Sequence, residues 1–462
     1  MEYVLTTKRY KMPVFPIVYT MIAQTSKFME TVLGKKFNKI ILLTKDGFEK
    51  YFVLEKDREI LSEIFMKKLN ENKSLTKNYI KALEKNGKEL LKFTGSINLN
   101  SKNLGDYFKN YKELYTKAMA YGWPISIIGE YALVKELKQK IKDEETLSIL
   151  STPKEISYVY KEEINALKLA LKKADENKIK AHTKKFSWIF FDYTGPELGF
   201  DYFKKRIAEL EKEGKDKLKE RLNFLESREH IKNQQDTLIN QLNLSKEDII
   251  KIKALQDIVF IRDKRKEILT KAHYDIEKLL DKVAEIRKID KEILRWLYTE
   301  ELVSLAENKQ VDIKKAEERF RFSAIVSENG KTKEYFGDEA EKYFNSIEEK
   351  ISSTNIIKGI CACMGNAKGI AKIIKKIEDG CKLNKGDILV TPMTTVDFTP
   401  IMEKASAIVT DDGGITCHAA IISREMNIPC VIGTRIATEV LNDGDYIEVN
   451  ADKGIVTIIK RK

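Results

Sequence analysis

The amino-acid sequence predicts a multidomain α+β protein, with a mainly helical N-terminal and central region followed by a C-terminal domain that contains strands. Its 462 residues suffice for two or three domains. No proline lies between Pro196 and Pro392, and helical hydrophobic periodicity dominates this long stretch. Short apolar segments beside glycines, such as Ile455–Ile459 after Gly454, indicate strands near the C-terminus.

The first part of the chain mixes predicted strands and helices. Lys39–Leu43 and Phe48–Leu54 are rich in β-branched and aromatic residues and flank a Lys-Asp-Gly turn, which predicts a hairpin. Helices are predicted from about Arg58 to Phe93. A second hairpin is predicted for Ala324–Phe336, because the Asn-Gly pair at its centre favours a tight turn.

The central part is predicted to be helical. One helix is expected from Ser157 to Asn177 and another from Phe200 to Glu229. A third should begin at Ser245, because Asp248 three residues later completes a capping signal. A fourth should begin near Thr299, before two glutamates.

The predicted domain boundaries follow from these patterns. We expect a mixed N-terminal region at residues 1–150, a mainly helical region at residues 151–352 and a separate C-terminal domain at residues 353–462. The short polar stretch Ser352–Lys358 is suited to a hinge between the last two.

Composition and cysteine usage predict a cytoplasmic protein without membrane contact. No apolar run approaches the roughly 20 residues that span a bilayer, and Met1–Met12 is polar, unlike a secretory signal. The odd number of five cysteines fits reduced thiols. Cys361, Cys363 and Cys381 match no strong zinc pattern, so packing is the better interpretation for them.

The net charge of +12 raises the question of nucleic-acid binding. Residues 359–462 contain 13 Lys/Arg and 13 Asp/Glu, so the excess positive charge lies entirely in residues 1–358. Most of it is lysine interspersed with glutamate along helices, which is typical of solvated helix faces. We therefore predict no nucleic-acid partner.

The most informative segment is Thr410–Ala420, with the sequence TDDGGITCHAA. It places His418 directly before a predicted helix, Ala419–Met426, which Pro429 prevents from continuing. A phosphoryl group on this histidine would meet the free backbone N–H groups and the positive dipole at a helix start. The pattern predicts a site that holds phosphate on a nitrogen nucleophile.

Three neighbouring residues fit the same chemistry. Gly413 and Gly414 can adopt backbone angles that other residues avoid, which lets backbone approach an anion. Arg424 lies six residues after the histidine and is a candidate bidentate donor to phosphate. An isolated histidine at a helix start is more often a buried, satisfied core residue, so the wider context decides between these interpretations.

The wider context is an ordered series of motifs that resembles a known family. The series comprises Gly386–Thr394, Asp397–Pro400, Ala405–Thr410, the histidine segment, Ile428–Thr434, Asp443–Asp445 and the last strand. From about Gly359 onward it resembles the swivelling β/β/α phosphohistidine domain of the phosphoenolpyruvate-utilising enzymes. This family includes phosphoenolpyruvate synthase, pyruvate phosphate dikinase, rifampicin phosphotransferase and phenylphosphate synthase. The Thr-Cys-His-Ala-Ala version is most similar to the phosphoenolpyruvate synthase branch.

The resemblance implies roles for individual residues. His418 would be phosphorylated and dephosphorylated in turn, Thr416 would orient its imidazole, and Arg424 with the two glycines would support the phosphoryl group. Cys417 would either tune the imidazole or, as the better interpretation, serve as a small packing residue.

The resemblance also implies partners. Residues 1–358 show no convincing glycine-rich nucleotide loop, and no phosphoenolpyruvate-binding barrel follows the histidine segment. The arrangement is therefore similar to the acceptor-binding and histidine parts of rifampicin phosphotransferase, or to one phenylphosphate synthase subunit. We expect a separate ATP-binding subunit, Mg²⁺ at the loading step in that partner, and ATP or phosphoenolpyruvate as phosphoryl donor.

Candidate acceptor residues lie in the central region, where a histidine-to-tryptophan stretch resembles part of the helical region of such proteins. His182 and Asp192 are candidate bases for an acceptor hydroxyl, beside an aromatic wall that includes Trp188 and Tyr193. An aromatic core segment explains the same pattern and is the preferred interpretation. Arg262 and Arg265 are candidates to meet the phosphohistidine, although a solvated helix face is again the preferred interpretation.

Two functional hypotheses follow. The first is a cytoplasmic phosphotransferase, or phosphotransfer subunit, that passes phosphate through His418 to an acceptor bound by the helical region. The alternative is a phosphohistidine carrier or regulator that docks on partner proteins and has no small-molecule acceptor of its own. A scaffold without phosphotransfer is disfavoured by the intact histidine segment.

Overall fold

The computed structural model describes residues 3–10, 12–189, 191, 193–195, 197–347, 355–375, 377–394, 398–413 and 417–462. Two compact units divide the chain. We call the first the helical unit; it comprises Met1–Thr6, Tyr10–Lys140 and Leu150–Glu341. We call the second the histidine unit; it comprises Thr7–Arg9, Ile141–Ile149 and Lys342–Lys462.

The helical unit contains one five-stranded sheet with the order β1-β3-β2-β4-β5. The strands are β1 (Tyr3–Tyr10, of which residues 3–6 and 10 belong to this unit), β2 (Lys39–Lys45), β3 (Phe48–Leu54), β4 (Phe322–Glu328) and β5 (Lys331–Phe336). Both predicted hairpins are confirmed. Asn329 and Gly330 have φ values of 51° and 74°, which are the angles that an Asn-Gly hairpin turn requires.

Helices make up most of the remaining chain before residue 348. They are α1 (Val14–Thr25), α2 (Lys27–Leu33), α3 (Glu55–Glu71), α4 (Leu75–Thr94), α5 (Leu104–Ala120), α6 (Trp123–Leu137), α7 (Glu144–Ser151), α8 (Tyr158–Leu171), α9 (Glu176–Phe186), α10 (Phe200–Lys212), α11 (Lys215–Ser227), α12 (Glu229–Gln241), α13 (Lys246–Arg287), α14 (Lys291–Leu294), α15 (Thr299–Ala306), α16 (Ile313–Arg321) and α17 (Gly337–Ile347).

The longest helix, α13, organises the helical unit. Its 42 residues span about 63 Å at 1.5 Å per residue. The predicted start is confirmed, because Ser245 and Asp248 form a capping box at its first turn. It packs against α4 and α6, and Ile252, Leu255 and Ile258 are buried along it.

Two of the long helices predicted from the sequence are interrupted. The segment from Ser157 to Asn177 forms α8 and the start of α9, and Asp175 caps the second of these helices. The segment from Phe200 to Glu229 breaks into α10 and α11 at Gly214, whose φ is 91°. A left-handed glycine ends a helix without steric cost, which explains the second break.

The histidine unit is rich in strands and carries an eight-stranded sheet with the order β6-β13-β12-β8-β9-β10-β11-β7. The strands are β6 (Ile356–Lys358), β7 (Ile360–Cys363), β8 (Asn366–Ile373), β9 (Ile388–Thr391), β10 (Ala407–Thr410), β11 (Cys430–Ile432), β12 (Tyr446–Asn450) and β13 (Ile455–Lys460). Neighbours from β8 to β11 run parallel, and the other pairs are antiparallel.

Short helices complete the histidine unit: α18 (Thr399–Met402), α19 (His418–Met426) and α20 (Ala437–Val440). Residues alternate between two apolar cores along the parallel strands. Val390 and Val409 belong to one core, whereas Leu389 and Ile408 belong to the other. Both faces of these strands are therefore buried, as expected for parallel strands.

None of the helices that the structure describes is both long enough and apolar enough to cross a membrane.

Candidate functional site

The candidate site lies at one edge of the parallel part of the histidine-unit sheet. Strands β9 and β10 pair in parallel, with Thr391 opposite Thr410 at their carboxyl ends. The segments that follow both strands therefore emerge at the same edge. Ligand sites of α/β sheets commonly lie outside the carboxyl ends of the strands.

His418 and Thr394 meet at this edge. Thr394 lies just after β9, and its Oγ1 is 2.8 Å from Nδ1 of His418. The histidine is the first residue of α19 and is half-buried, and its Nε2 atom is buried. The sequence motif Gly386–Thr394 ends at this threonine, but the sequence alone predicted no role for it. The parallel pairing of β9 with β10 is the signal that joins the two residues.

The start of α19 is capped by Cys417. Its backbone is extended, and its Sγ accepts a hydrogen bond from the backbone N–H of Ala420 at 3.4 Å. At the other end, Asn427 adopts a left-handed conformation (φ 53°), which confirms the predicted helix end before Pro429. Cys417 thus replaces the usual serine or aspartate cap, a role that sequence reasoning did not assign to it.

The turn before the histidine needs glycine at residue 413. Gly413 has a φ of 135°, and a Cβ placed there would lie 2.8 Å from Cys417 Sγ. Both the backbone angle and the close sulfur exclude a larger residue. Gly414 and Thr416 lie outside the described residues, so their predicted phosphate-binding and orienting roles stay predictions.

Arg424 fixes helix α19 to its surroundings within the histidine unit. Its Nε donates to the backbone carbonyl of Ala362 on β7 at 2.7 Å, and its Nη1 donates to Ser148 Oγ at 3.2 Å. Along a helix, six residues correspond to about 9 Å. The structure thus shows an anchoring contact, and the predicted contact with phosphate stays a prediction.

A buried ion pair supports the segment that leads to the histidine. Lys8 Nζ lies 3.2 Å from Asp411 Oδ2, 3.0 Å from Glu439 Oε1 and 2.6 Å from the carbonyl oxygen of Arg435. The backbone N–H of Lys8 also donates to Asp412 Oδ2 at 2.7 Å. Both aspartates directly precede Gly413, so Lys8 stabilises the segment immediately before this glycine.

Asp411 is almost fully enclosed, with 1% of its surface exposed. Thr434 Oγ1 and the backbone N–H of Thr438 donate to its Oδ1 at 3.2 and 3.1 Å, and the Thr438 hydroxyl donates to Oδ2. Burial alone would lower the pKa of Lys8, but the carboxylates of Asp411 and Glu439 outweigh it and raise that pKa. Lys8 is therefore charged at neutral pH.

The predicted acceptor residue His182 lies in a hydrophobic core of the helical unit. Its Nδ1 is 2.7 Å from Asn165 Oδ1, its Nε2 is 3.0 Å from Glu162 Oε1, and its ring contacts Phe186 and Phe203. Only 2% of the residue is exposed. These contacts describe a satisfied core histidine, and the proposed partner Asp192 lies outside the described residues.

The other acceptor candidates also make structural contacts. Trp188 is buried in the same core as His182 and donates from Nε1 to the carbonyl of Lys185 at 2.7 Å. The Tyr193 ring packs against His273 instead. Arg262 pairs with Glu130 at 2.8 Å, and the Arg265 guanidinium lies over the Trp123 ring. Their predicted acceptor roles stay predictions.

The cysteines of the histidine unit differ in burial. Cys361 and Cys363 on β7 are half-buried, whereas Cys381 is exposed, so the packing role predicted for Cys381 is wrong. Cys363 on β7 is opposite Cys430 on β11, and burial raises the pKa of both thiols. Within the described part of the chain, no group of three or more His, Cys, Asp or Glu side chains is arranged to hold a metal ion. We therefore assign no Mg²⁺ ligand to these residues.

Comparison with known proteins agrees with this geometry. Residues 383–454, which include β9, β10 and His418, match the family described as PEP-utilising enzyme, mobile domain. The histidine unit therefore contains a match to the mobile domain of the PEP-utilising enzymes. In this PEP-utilising mobile domain, the Thr394–His418 contact lies inside the matched region.

The similar curated proteins carry names from the same family. The chain is 41% identical over 167 residues to a probable phosphoenolpyruvate synthase of Archaeoglobus fulgidus, covering 36% of this chain and 22% of that protein. It is 50% identical over 110 residues to the probable phosphoenolpyruvate synthase of Methanothermobacter thermautotrophicus, covering 24% and 16%. It is 35% identical over 210 residues to the uncharacterized phosphotransferase YvkC of Bacillus subtilis, covering 41% and 25%.

The chain spans a quarter or less of the length of each of these three relatives. Their names support phosphotransfer at the level of the family. Among solved structures, 23% of the chain matches the whole of a chain from Thermococcus kodakaraensis aconitase X (holo-form) at 20% identity and a TM-score of 0.19, a value too low to carry an inference.

Proposed function

We propose that this chain is a phosphotransferase, or the phosphotransfer subunit of one, that carries a phosphoryl group on His418. The observation that carries the proposal is the 2.8 Å contact between Thr394 Oγ1 and His418 Nδ1, at the start of a nine-residue helix. It combines an oriented imidazole with a helix N-terminus, which is a favourable place for an anion.

A threonine hydroxyl can donate to Nδ1 or accept from Nδ1–H, and the proposal uses the second arrangement. When Thr394 accepts a hydrogen bond from Nδ1–H, the proton resides on Nδ1 and the lone pair on Nε2. Nε2 is then the nucleophile, and because this atom is buried in the structure, the imidazole or its surroundings must move before Nε2 can attack a donor. A neutral imidazole is nucleophilic near neutral pH, so no strong base is required for this step.

The reaction proceeds in two steps that balance. In loading, the lone pair of Nε2 attacks phosphorus, the P–Nε2 bond forms, and the P–O bond to the donor breaks with its electrons on the leaving oxygen. In unloading, an acceptor oxygen attacks, the P–Nε2 bond breaks, and its electrons return to Nε2. The acceptor hydroxyl loses its proton to a base or to water. The covalent intermediate divides one difficult transfer into two.

Other residues around His418 support the phosphorylated state in this proposal. The helix dipole of α19 favours the negative charge, and Gly413 with Gly414 permits close backbone approach. In this proposal Thr416 assists in orienting the imidazole, and Arg424 contributes positive charge after it releases its contacts with Ala362 and Ser148. Rotation of the mobile domain about a hinge near Asn355 would carry the phosphoryl group from donor to acceptor.

The donor is ATP, bound by a separate subunit, or phosphoenolpyruvate. Mg²⁺ at the loading step would neutralise phosphate charge in that partner. The acceptor is bound by the helical unit, and the protein acts in the cytoplasm. This division of labour rests on the family resemblance and on the lack of a recognisable nucleotide loop in residues 1–358.

Phosphorylation of the purified chain tests the proposal. We would offer labelled ATP and labelled phosphoenolpyruvate, with and without co-purifying proteins, and expect acid-labile label on the wild type. His418→Ala should abolish the label. His230→Ala is the matched control, because His230 also lies in the first turn of a helix, α12, and should leave labelling unchanged.

Each outcome separates the possibilities. Label that needs a partner protein supports the split phosphotransferase. Label from ATP on the isolated chain would overturn the requirement for a separate ATP-binding subunit. Label that the chain transfers only to another protein would favour the alternative, a phosphohistidine carrier. No label on His418 under any of these conditions would refute phosphotransfer.

A further inference from the structure

A cavity in the helical unit has no role in the proposed histidine chemistry. It has a volume of about 840 Å³ and lies between α1, α5 and α15. Cavities of several hundred Å³ are the size of typical small-molecule sites. All of its lining residues belong to the helical unit.

The inner wall of the cavity is apolar with two buried hydroxyls. Ile22, Ala23 and Val303 supply apolar surface. Tyr19 and Thr299 also line the cavity, and each is 2% exposed. The Thr299 hydroxyl has no hydrogen-bond partner within the described residues. The Tyr19 oxygen lies within reach of the Thr299 backbone N–H, but its own O–H has no acceptor within the described residues.

Buried hydroxyls normally have partners, because an unsatisfied polar group in an apolar wall is destabilising. Two such groups in one cavity indicate a ligand group that hydrogen-bonds there. Burial also raises the pKa of Tyr19 well above its ordinary value. At neutral pH its hydroxyl is therefore protonated, and it is able to donate as well as accept.

The rim of the cavity carries four lysines and three glutamates, and five of these seven side chains form ion pairs with one another. Lys112 Nζ lies 2.5 Å from Glu300 Oε1. Lys109 and Lys309 share Glu307, at 3.4 and 2.7 Å. A strongly charged ligand would have to displace these pairs. The rim therefore favours a neutral ligand.

We propose that this cavity binds a neutral small molecule with an apolar or aromatic body and a hydroxyl group, which hydrogen-bonds to Tyr19 Oη and Thr299 Oγ1. The apolar wall would cover the body of the molecule. The further assignment of this molecule as the phosphoryl acceptor rests on the proposed function, whereas its binding does not.

Equilibrium binding of 2-naphthol, followed by its fluorescence, tests the proposal. Tyr19→Phe and Thr299→Val each remove one hydroxyl at nearly constant shape and should weaken binding about fivefold to tenfold. Tyr111→Phe is the matched control. The Tyr111 hydroxyl is likewise buried without a partner within the described residues, but the residue does not line the cavity. The affinity of the Tyr111→Phe variant for 2-naphthol should stay within twofold of the wild-type affinity.

Two further measurements make the result decisive. Ser304→Trp fills the cavity from a half-buried position and should abolish binding, with thermal unfolding confirming that the variant folds. Naphthalene-2-sulfonate should bind more weakly than 2-naphthol. Undetectable naphthol binding, equal affinity of Tyr19→Phe and Tyr111→Phe, or tighter sulfonate binding would each overturn the proposal.

The phosphotransfer proposal is tested independently of the cavity proposal. His418→Ala should retain full naphthol affinity while losing the phosphoryl label. A wild type that binds naphthol but accepts no label would refute phosphotransfer and leave the cavity assignment standing. A labelled wild type that does not bind naphthol would do the reverse.

Discussion

The hydroxyl group of Thr394 contacts the imidazole of His418 in this structure. Thr394 contacts Nδ1 at 2.8 Å, so its removal should permit the other tautomer and free ring rotation. We expect Thr394→Val to slow phosphorylation by roughly 10-fold to 100-fold, the usual cost of losing the group that orients a functional histidine. The measurement is the initial rate of labelling across pH 5 to 9.

The conservative variant distinguishes orientation from simple packing. Thr394→Ser keeps the hydroxyl and loses only a methyl group, so it should recover most of the rate. A Thr394→Ser variant as slow as Thr394→Val, with an unchanged pH profile in both, would contradict a role in selecting the tautomer.

The buried pair of Lys8 and Asp411 is the second residue-scale feature with a measurable consequence. Lys8→Met leaves the Asp411 carboxylate buried without its cation, which should lower the free energy of unfolding by about 3 to 5 kcal/mol. Lys8→Met combined with Asp411→Asn removes both charges and should recover part of that loss. Urea unfolding of the single and double variants measures the coupling.

The sign of the pH dependence follows from the raised pKa of Lys8. Its stabilising contribution is fully present below the ordinary lysine pKa and is lost as the pH rises through the higher folded value. The difference in the free energy of unfolding between the wild type and Lys8→Met should therefore stay constant from pH 6 to 9. A difference that disappears within this range would contradict the ion pair.

At the scale of elements, helix α13 contains a carboxyl group with an unusual titration. Burial and then the Glu267 carboxylate raise the pKa of Asp263 to about 6. A carboxyl whose folded pKa exceeds its unfolded value stabilises the fold when protonated. This contribution is largest below about pH 4 and is lost as the pH rises towards 6.

Asp263→Asn should remove this pH dependence. We expect the variant to be more stable than the wild type at pH 7.5 by roughly 1 to 2 kcal/mol, less than a fully buried group would give, because the side chain is only half-buried. The gain should vanish at pH 4. Thermal unfolding at both pH values measures it, with Asp236→Asn on α12 as an exposed control.

Helix interruptions mark the limit of sequence prediction at this scale. Helices α8 and α9 bury residues in one shared core, and so do α10 and α11. Hydrophobic periodicity therefore continues across both breaks. The breaks depend instead on single backbone angles, at Lys173 (φ 48°) and Gly214. Periodicity reports the buried face and is insensitive to such angles.

At the scale of the whole molecule, each unit has its own buried leucines, which allows a matched test. Leu389 in the histidine unit and Leu280 in the helical unit are both fully buried. Replacing either by alanine should cost about 2 to 5 kcal/mol. Hydrogen exchange should show Leu389→Ala weakening β9 and β10, and Leu280→Ala weakening α13. Equal loss of protection in both units from either variant would contradict separate cores.

Sequence separation explains which site residues could be predicted. His418 and Gly413 lie in one short segment, and their roles could be predicted from the local sequence pattern alone. Thr394 required the pairing of two strands, and the Lys8 contact joins residues 403 positions apart. The predicted aromatic wall shows a further limit, because a buried core and a pocket wall use the same residue types. In the structure, His182 and Trp188 belong to a core.

The Thr394–His418 contact depends on the lengths of two loops. Thr394 is three residues past the end of β9, and His418 is eight residues past the end of β10. Substitutions within these loops keep that count, whereas a one-residue insertion or deletion in either loop would move one partner relative to the other. Natural variants of this domain should therefore keep both loop lengths, and should vary in residue type only at positions that, unlike Gly413 and Asp411, have no steric or hydrogen-bonding role of their own.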